Sequence, residues 1–262
     1  MKKKRRYLVS IVNILISNDD GIGAEGIGAL VACLGRDHTV FIVAPTREQS
    51  ASSHSLTLRH PLSVEKVAEN SFSVDGTPAD CVNLGVNGIL AIRPDLVVSG
   101  INHGANLGDD IFYSGTVSAA IEGMLLDIPS IAVSFEMKTS RDFAPAAEFA
   151  GRLVAYVEKN GIPKDTVLNV NVPDTVTSDD IPYRVTRQGR RIYNNSIVEQ
   201  LNSSKKGAFI IGTGDIPFEQ DIESDFFAVT KGYISITPLH LDLTNYASVG
   251  EIRQWKIVTA LK

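Results

Sequence analysis

Short apolar runs that alternate with helical segments constrain the fold of this chain more than any other feature. Runs of this kind that end in polar residues are typical of buried parallel strands. The runs predicted as strands are 11–17, 39–44, 95–99, 130–134 and 167–171, and the predicted helices are 26–34, 78–91, 116–126 and 143–158. Strands that alternate with helices predict βαβ units. We therefore expect a Rossmann-like three-layer α/β sandwich with a mostly parallel sheet.

The character of the sequence changes after Pro173. Short β-like runs at 183–187, 208–212, 226–230 and 233–237 lie between polar turns. Thr244 or Asn245 could cap a last helix that ends near residue 261. We expect a basic N-terminal extension (1–12), an α/β core (13–173) and a smaller β-rich lobe of β-hairpins with a C-terminal helical arm (174–262). The arm serves oligomerisation in one interpretation, and in the other its helix packs on its own subunit.

Charge and cysteine content exclude several classes of protein. The chain has 25 Lys and Arg against 30 Asp and Glu, a net charge of −5, although five of its first six residues are basic. The rest of the chain is therefore strongly acidic. A surface of this kind binds nucleic acid phosphates poorly, and we expect no duplex nucleic acid as a partner. The apolar run after the basic residues contains Ser10 and Asn13 and is too short to span a membrane, so we expect no membrane partner. Cys33 and Cys81 form no metal-binding pattern, and so few cysteines favour a cytoplasmic location.

Polar residues follow three of the predicted strands. Two adjacent carboxylates, Asp19 and Asp20, follow the first strand, and Ser50 lies in a hydroxyl-rich loop (46–55) after the second. A glycine-rich loop (99–113) follows the run at 95–99. Ligands of open parallel sheets bind beyond the carboxyl ends of the strands, so these segments are candidates for one shared site.

The carboxylates and the hydroxyl-rich loop each have two interpretations. Adjacent carboxylates at the mouth of a buried strand repel each other, and a hard divalent cation between them would relieve the repulsion. The alternative is a helix cap beside a solvated aspartate in a turn. The hydroxyl-rich loop, taken alone, is typical of a flexible surface loop.

A possible anion site follows the glycine-rich loop. Ser114, Gly115 and Thr116 open a predicted helix, where backbone N–H groups, two hydroxyls and the positive end of the helix dipole favour a bound anion. An ordinary helix cap with turn glycines is the alternative. His103 could act as a general acid, but a surface histidine without a role is the simpler interpretation, and the same holds for His54.

A glycine pattern introduces a competing enzyme class. Residues 21–26 (GIGAEG) match the GxGxxG pattern of dinucleotide-binding proteins, which would make the chain a dinucleotide-dependent oxidoreductase. Two features oppose this. Asp19 and Asp20 would repel a pyrophosphate, and the second strand ends in Ala44 and Pro45 instead of an acidic residue for the ribose.

Together these segments resemble the SurE family of survival proteins, which are metal-dependent nucleotidases. The matching stretches occur in family order over about residues 13 to 245: ILISNDDGIGAEGI, VAPTREQSASSHSLTL, DGTPADCVNLGVN, PDLVVSGINHGANLGDDIFYSGTVSAAIEG, IPSIAVS, LNVNVP and GYISITPLHLDLT. The mutual spacing of NDDG, SGINHGANLG and YSGTVSAA is specific, whereas NDDG alone is not. The family usually has Gly-Pro-Asn where this chain has Gly104, Ala105 and Asn106.

The resemblance implies a role for each matching residue. The implied metal ligands are Asp19, Asp20, Ser50 and Asn102, of which Asp19 and Asp20 are also catalytic, and the implied phosphate-binding residues are Asn106, Ser114, Gly115 and Thr116. Ligands that offer only oxygen favour Mg²⁺ or Mn²⁺ over zinc, and we expect one such cation per subunit. The resemblance also implies a homodimer or homotetramer, built partly through the C-terminal arm.

The implied reaction is hydrolysis of a nucleoside 5′-monophosphate to nucleoside and phosphate. 3′-Nucleotides and short polyphosphate are further candidate substrates. Either a water molecule oriented by Asp19 or Asp20 attacks the phosphorus, or an aspartate becomes phosphorylated. A non-catalytic nucleotide or metal sensor would need the same site, so turnover separates these two classes.

Overall fold

The computed structural model describes residues 12–177, 182–192, 197–199, 209–211 and 217–255. The strands are β1 (Asn13–Ser17), β2 (Thr39–Pro45), β3 (Val64–Ala68), β4 (Ser71–Val74), β5 (Leu96–His103), β6 (Ser130–Glu136), β7 (Val167–Pro173), β8 (Tyr183–Val185), β9 (Ile197–Glu199), β10 (Phe209–Ile211) and β11 (Ile234–Leu239). The α-helices are α1 (Glu25–Leu34), α2 (Pro78–Leu84), α3 (Gly115–Leu125), α4 (Ala144–Asn160), α5 (Asp225–Thr230) and α6 (Tyr246–Ile252). A π-helix (Gly85–Ile89) continues α2, and a 3₁₀ helix (Gly108–Phe112) precedes α3.

Nine of the described strands form one mostly parallel sheet in the order β3-β4-β2-β1-β5-β6-β7-β11-β8. All neighbouring pairs from β4 to β7 are parallel, whereas β3 is antiparallel to β4 and β11 is antiparallel to β7. The predicted α/β fold with a mostly parallel sheet is confirmed. β9 and β10 pair with each other in a separate hairpin.

The three layers follow from the alternation of side chains along the strands. In β1, Ile14 and Ile16 belong to a core that also contains buried residues of α1 and α4, whereas Leu15 belongs to a second core with residues of α2 and α3. Successive side chains of a strand point to opposite faces of its sheet, so the two cores lie on opposite faces. This explains why the buried strands are apolar throughout.

The prediction was wrong for one segment after Pro173. Residues 226–230, predicted as a β-like run, lie in helix α5, because Ser224 caps the helix by accepting a hydrogen bond from the backbone N–H of Phe227 (3.1 Å). β8 and β11 join the central sheet. The division of the chain at residue 173 stays a prediction.

Other differences concern the lengths of elements. Thr77 caps α2 as predicted, but the α-helix ends at Leu84 and continues as the π-helix. The edge strand β3 and its neighbour β4 were not predicted. Asn245 caps α6, and the rest of the predicted last helix, from residue 256, lies outside the described residues, as does the basic extension up to residue 11. No helix in the described part of the chain is long and apolar enough to cross a membrane.

Close packing of α1 on β5 depends on a glycine. A Cβ at Gly26 would lie 2.1 Å from the carbonyl oxygen of Ile101, whereas a Cβ at Gly28, on the exposed side of the same helix, would meet nothing within 4 Å. The helix can therefore approach the sheet only with glycine at position 26.

We predict that Gly26→Ala lowers the free energy of unfolding by about 1–3 kcal/mol, because the helix must move away from β5. Gly28→Ala is the matched control. It should raise stability by about 0.5–1 kcal/mol, since alanine loses less backbone entropy in a helix than glycine does. Urea denaturation measures both, and equal effects of the two substitutions would contradict the packing described here.

Candidate active site

The two carboxylates lie in a tight turn after β1. The side chain of Asn18 donates a hydrogen bond to the carbonyl of Gly21 (2.8 Å), and Gly21 has a φ of 97°, which favours glycine. The backbone N–H of Gln49 donates to the carbonyl of Asp19 (2.7 Å). This bond joins the turn after β1 to the loop after β2, so Ser50 is held near the carboxylates.

Asp19 is buried against the first turn of α3. The Asp19 carboxylate accepts a hydrogen bond from the hydroxyl of Thr116. The Asp19 side chain also packs so closely against Gly115 that a Cβ added at Gly115 would lie 2.7 Å from the Cβ of Asp19. Burial raises the pKa of Asp19, and the neighbouring charge of Asp20 raises it further, whereas the hydrogen bond from Thr116 opposes the shift. The ionised form of Asp19 is therefore costly in this position.

Asp20 lies at the mouth of the same turn and faces β5. It accepts a hydrogen bond from the backbone N–H of His103 (3.1 Å), and the His103 Nδ1 atom lies 3.9 Å from its other oxygen. Burial raises the pKa of Asp20, although His103 lowers it, and the charge of Glu48 adds to the increase. Two adjacent carboxylates with raised pKa values are an arrangement that a bound cation would stabilise.

A β-bulge places Asn102 beside the carboxylates. The register between β5 and β6 shifts between Ser99 and Asn102, and such bulges redirect the side chains that follow. The Asn102 amide nitrogen donates to the carbonyl of Gly104 (2.8 Å), so its carbonyl oxygen is the atom that could bind a cation. The strand extends to His103, and Asn102 is thus part of β5, not of a flexible loop.

Ser50 is paired with a carboxylate that no sequence pattern singles out. Its hydroxyl donates to Glu48 Oε1 (2.6 Å), and both side chains line the same cavity as Asp20. A hydroxyl that donates can still accept or bind a cation through its oxygen. The only available sequence signal for Glu48 is its position two residues before Ser50.

Six of the eight predicted site residues line one cavity of about 940 Å³. The predicted site residues that line it are Asp19, Asp20, Ser50, Asn102, Asn106 and Ser114. Gly115 and Thr116 lie behind Asp19 in the first turn of α3, and Thr116 donates its hydroxyl to that carboxylate. The metal and phosphate roles of these residues stay predictions. The cavity lies within the size range of small-molecule sites.

Ser114 lies at the anion-attracting end of α3. Its hydroxyl oxygen accepts a hydrogen bond from the backbone N–H of Val117 (3.1 Å), which makes it the N-cap of α3. The proton of this hydroxyl can then be donated elsewhere. The N-terminus of α3 therefore offers both a hydroxyl and the helix dipole to an anion in the cavity.

A network of buried side-chain amides holds Asn106 against strands β6 and β7. Its side-chain nitrogen donates to the Ser134 hydroxyl (2.8 Å), and its backbone N–H donates to Asn171 Oδ1 (2.7 Å). Its carbonyl oxygen accepts from the side chains of Asn169 (2.9 Å) and Asn171 (3.0 Å). Residues from β6 and β7 thus fix this backbone and side chain, which preorganises the loop.

Residues after Pro173 hold the next part of the glycine-rich loop. The buried carboxylate of Asp225 accepts hydrogen bonds from the backbone N–H groups of Gly108 (2.8 Å) and Gly189 (2.9 Å). The Arg191 guanidinium group bonds to Asp110, which lines the cavity. The segment after Pro173 therefore supports the wall of the cavity.

The donor set is unlike a zinc centre. Within the described ranges, no group of three or more His, Cys, Asp and Glu side chains is arranged to hold a metal ion. The predicted ligands are instead two carboxylates, a hydroxyl and an amide. Such oxygen ligands suit a hard cation that keeps several waters.

We predict that Asp20→Asn raises the melting temperature of the metal-free protein. The folded-state pKa of Asp20 is raised, so its ionisation costs stability as pH rises through the unfolded and then the folded pKa. At neutral pH the neutral amide removes this cost. Thermal melts in EDTA measure the effect, and Asp37→Asn, at an exposed position, is the control. Mn²⁺ should raise the melting temperature of the wild type but not of Asp20→Asn. A variant that melts below the wild type in EDTA would contradict this description.

Comparisons with known proteins identify the family of this chain. A family model described as "Survival protein SurE" matches residues 14–195. A 5′-nucleotidase SurE of Geotalea daltonii is 51% identical over 94% of this chain and 100% of that protein, and one of Geobacter sulfurreducens is 50% identical over 94% of each. The crystal structure of the SurE protein from Aquifex aeolicus matches with a TM-score of 0.81 and 43% identity, over 92% of this chain and 98% of that one. This chain therefore belongs to the SurE family.

Proposed function

We propose that this chain hydrolyses nucleoside 5′-monophosphates to nucleoside and inorganic phosphate with the help of a divalent cation. The observation that carries the proposal is the contact of Asp19 with the first turn of α3. It puts a carboxylate pair, which attracts a cation, on the same wall as a helix N-terminus, which attracts a phosphate. The relatives from Geotalea and Geobacter are both named 5′-nucleotidases and are covered almost completely, which supports this enzyme class.

The residues present fit a divalent cation of the Mg²⁺ or Mn²⁺ type. Asp19, Asp20, Ser50 and Asn102 would hold it, and every one of them offers oxygen. The raised pKa values of both carboxylates support this fit, because burial disfavours their ionised forms and a cation between them would offset that cost. A cation bound there would polarise the phosphate and acidify a water molecule.

The remaining residues bind the phosphate and orient the attack. Ser114 and the first backbone N–H groups of α3 donate to the phosphate oxygens, where charge grows during the reaction. Asn106, fixed by Ser134 and Asn171, would contact the same group from the other side of the cavity. Asp19 or Asp20 orients a water molecule, whose oxygen bonds to phosphorus as the bond to the nucleoside oxygen breaks. The water loses a proton as its oxygen bonds to phosphorus, and the departing nucleoside oxygen takes up a proton.

The glycine pattern at 21–26 does not favour a dinucleotide. Gly21 and Gly23 line the cavity together with Asp19 and Asp20. A pyrophosphate beside these glycines would face two carboxylates, which is unfavourable without a cation. β2 ends at Pro45, where a dinucleotide site would need an acidic residue.

The proposal extends to substrates, assembly and location. 3′-Nucleotides and short polyphosphate carry the same terminal phosphate and would use the same groups. A homodimer or homotetramer is supported by the exposed apolar side chains of the C-terminal arm, such as Leu243, Tyr246 and Trp255, since such exposure is typical of interaction surfaces. Cys33 and Cys81 are free thiols, which supports a cytoplasmic location.

We predict that the purified chain releases phosphate from nucleoside 5′-monophosphates when Mg²⁺ or Mn²⁺ is present and that EDTA abolishes the release. Asp20→Asn should lower turnover by about 100-fold or more. Mutation of residues that only hydrogen-bond to a metal ligand already costs about 10–100-fold in metal affinity or activity, and Asp20 would be a ligand itself. A phosphate assay over a panel of 5′- and 3′-nucleotides measures both. Asp37→Asn should match the wild type. A folded wild type that releases no phosphate with any cation would contradict the proposal and favour a sensor.

A further inference from the structure

The loop that carries Ser50 is tied to helix α3 at its far end. His54 Nε2 lies 2.8 Å from Glu122 Oε2, and the His54 side chain is 29% exposed whereas that of Glu122 is 5% exposed. Glu122 lies about two helical turns along α3 from Ser114. The bond therefore joins the loop of a proposed cation ligand to the helix of the proposed phosphate site.

Glu122 is itself held from a second direction. Its other oxygen accepts a hydrogen bond from the side chain of Asn83 in α2 (2.7 Å), and Asn83 in turn accepts from Asn87 (3.2 Å). The hydrogen bond with His54 lowers the pKa of Glu122 in opposition to its burial. A carboxylate with both oxygens engaged is a fixed acceptor, so His54 is anchored to a rigid point.

The loop needs fixed ends because its backbone is strained. Ala51 and Ser53 have φ values of 57° and 53°, in the left-handed region that residues other than glycine rarely adopt. Such residues persist only when the surroundings hold them in place. One end of the strained segment is fixed by the bond from Gln49 to Asp19 (2.7 Å). At the other end, His54 bonds to Glu122, and two weaker anchors add to it: the Ser53 backbone N–H donates to the Tyr113 carbonyl (3.2 Å), and the Thr77 hydroxyl donates to the Ser55 carbonyl (2.7 Å).

We propose that His54 is a positioning residue whose bond to Glu122 holds the loop so that Ser50 stays in the cation site. This rests on the proposed function, since Ser50 is a cation ligand only there. His54 does not touch the cation or the substrate in this role. Its loss leaves Asp19, Asp20 and Asn102 in place but lets Ser50 move away, so cation binding weakens while nucleotide binding does not.

The test compares the full-length wild type with His54→Ala and His54→Gln. The Gln side chain can donate from nearly the same place as Nε2, so it should restore the bond. Isothermal titration calorimetry with Mn²⁺ is the main readout, and we expect His54→Ala to bind Mn²⁺ about 10–100-fold more weakly. The Mn²⁺ concentration for half-maximal phosphate release should rise in parallel, while KM for the nucleotide at saturating Mn²⁺ stays unchanged.

The matched control is His60→Ala, since His60 is an exposed histidine near the same loop that bonds to its neighbour Pro61 (3.2 Å). It should bind Mn²⁺ as the wild type does. Hydrogen exchange of the amides of residues 50–55 gives a readout independent of the cation. These amides should exchange faster in His54→Ala and return to the wild-type rate in His54→Gln.

Each outcome decides between the two claims. If His54→Ala binds Mn²⁺ as tightly as the wild type, or if His54→Gln is as weak as His54→Ala, the positioning role is overturned and the proposed function stands. If the wild type binds Mn²⁺ but releases no phosphate, the proposed function is overturned and calorimetry still decides the role of His54. If the wild type binds no Mn²⁺, both are overturned.

Discussion

The contact between Asp19 and the first turn of α3 is the constraint on which the rest of the site depends. The hydroxyl of Thr116 donates a hydrogen bond to the carboxylate, and Gly115 lies so close to Asp19 that no side chain would fit there. The carboxyl end of β1 and the N-terminus of α3 are thereby locked together. A cation bound by Asp19 and Asp20 would lie beside the groups that attract a phosphate, which is the arrangement that metal-assisted hydrolysis needs.

This arrangement is costly for the fold, and much of the surrounding structure compensates for it. Burial raises the pKa of both carboxylates, so their ionised forms destabilise the protein when no cation is bound. The amide network around Asn106 and the carboxylate of Asp225 fix the facing loop through buried hydrogen bonds. Sites that give up stability locally while rigid neighbours hold their geometry are typical of enzymes.

The sequence predicts the parts of this molecule that local patterns determine. Apolar runs mark the parallel strands, and Thr77 before Pro78 marks the start of α2. The helix at 225–230 has only six residues, too few to show the hydrophobic period of a helix, so its apolar sequence was interpreted as a strand. The donation of the Thr116 hydroxyl to Asp19 and the pairing of His54 with Glu122 join residues far apart in the sequence. Only the packing of loop, strand and helix brings them together.

The most direct test of the cation site is a crystal structure of the chain grown with Mn²⁺ and measured at a wavelength where manganese scatters anomalously. One strong anomalous peak is predicted per chain, next to the N-terminus of α3 and in contact with oxygens of Asp19, Asp20, Ser50 and Asn102. An anomalous map without a peak in this cavity at saturating Mn²⁺, or with its peak elsewhere on the chain, would contradict the central claim that the carboxylate pair forms a cation site beside the phosphate-binding helix.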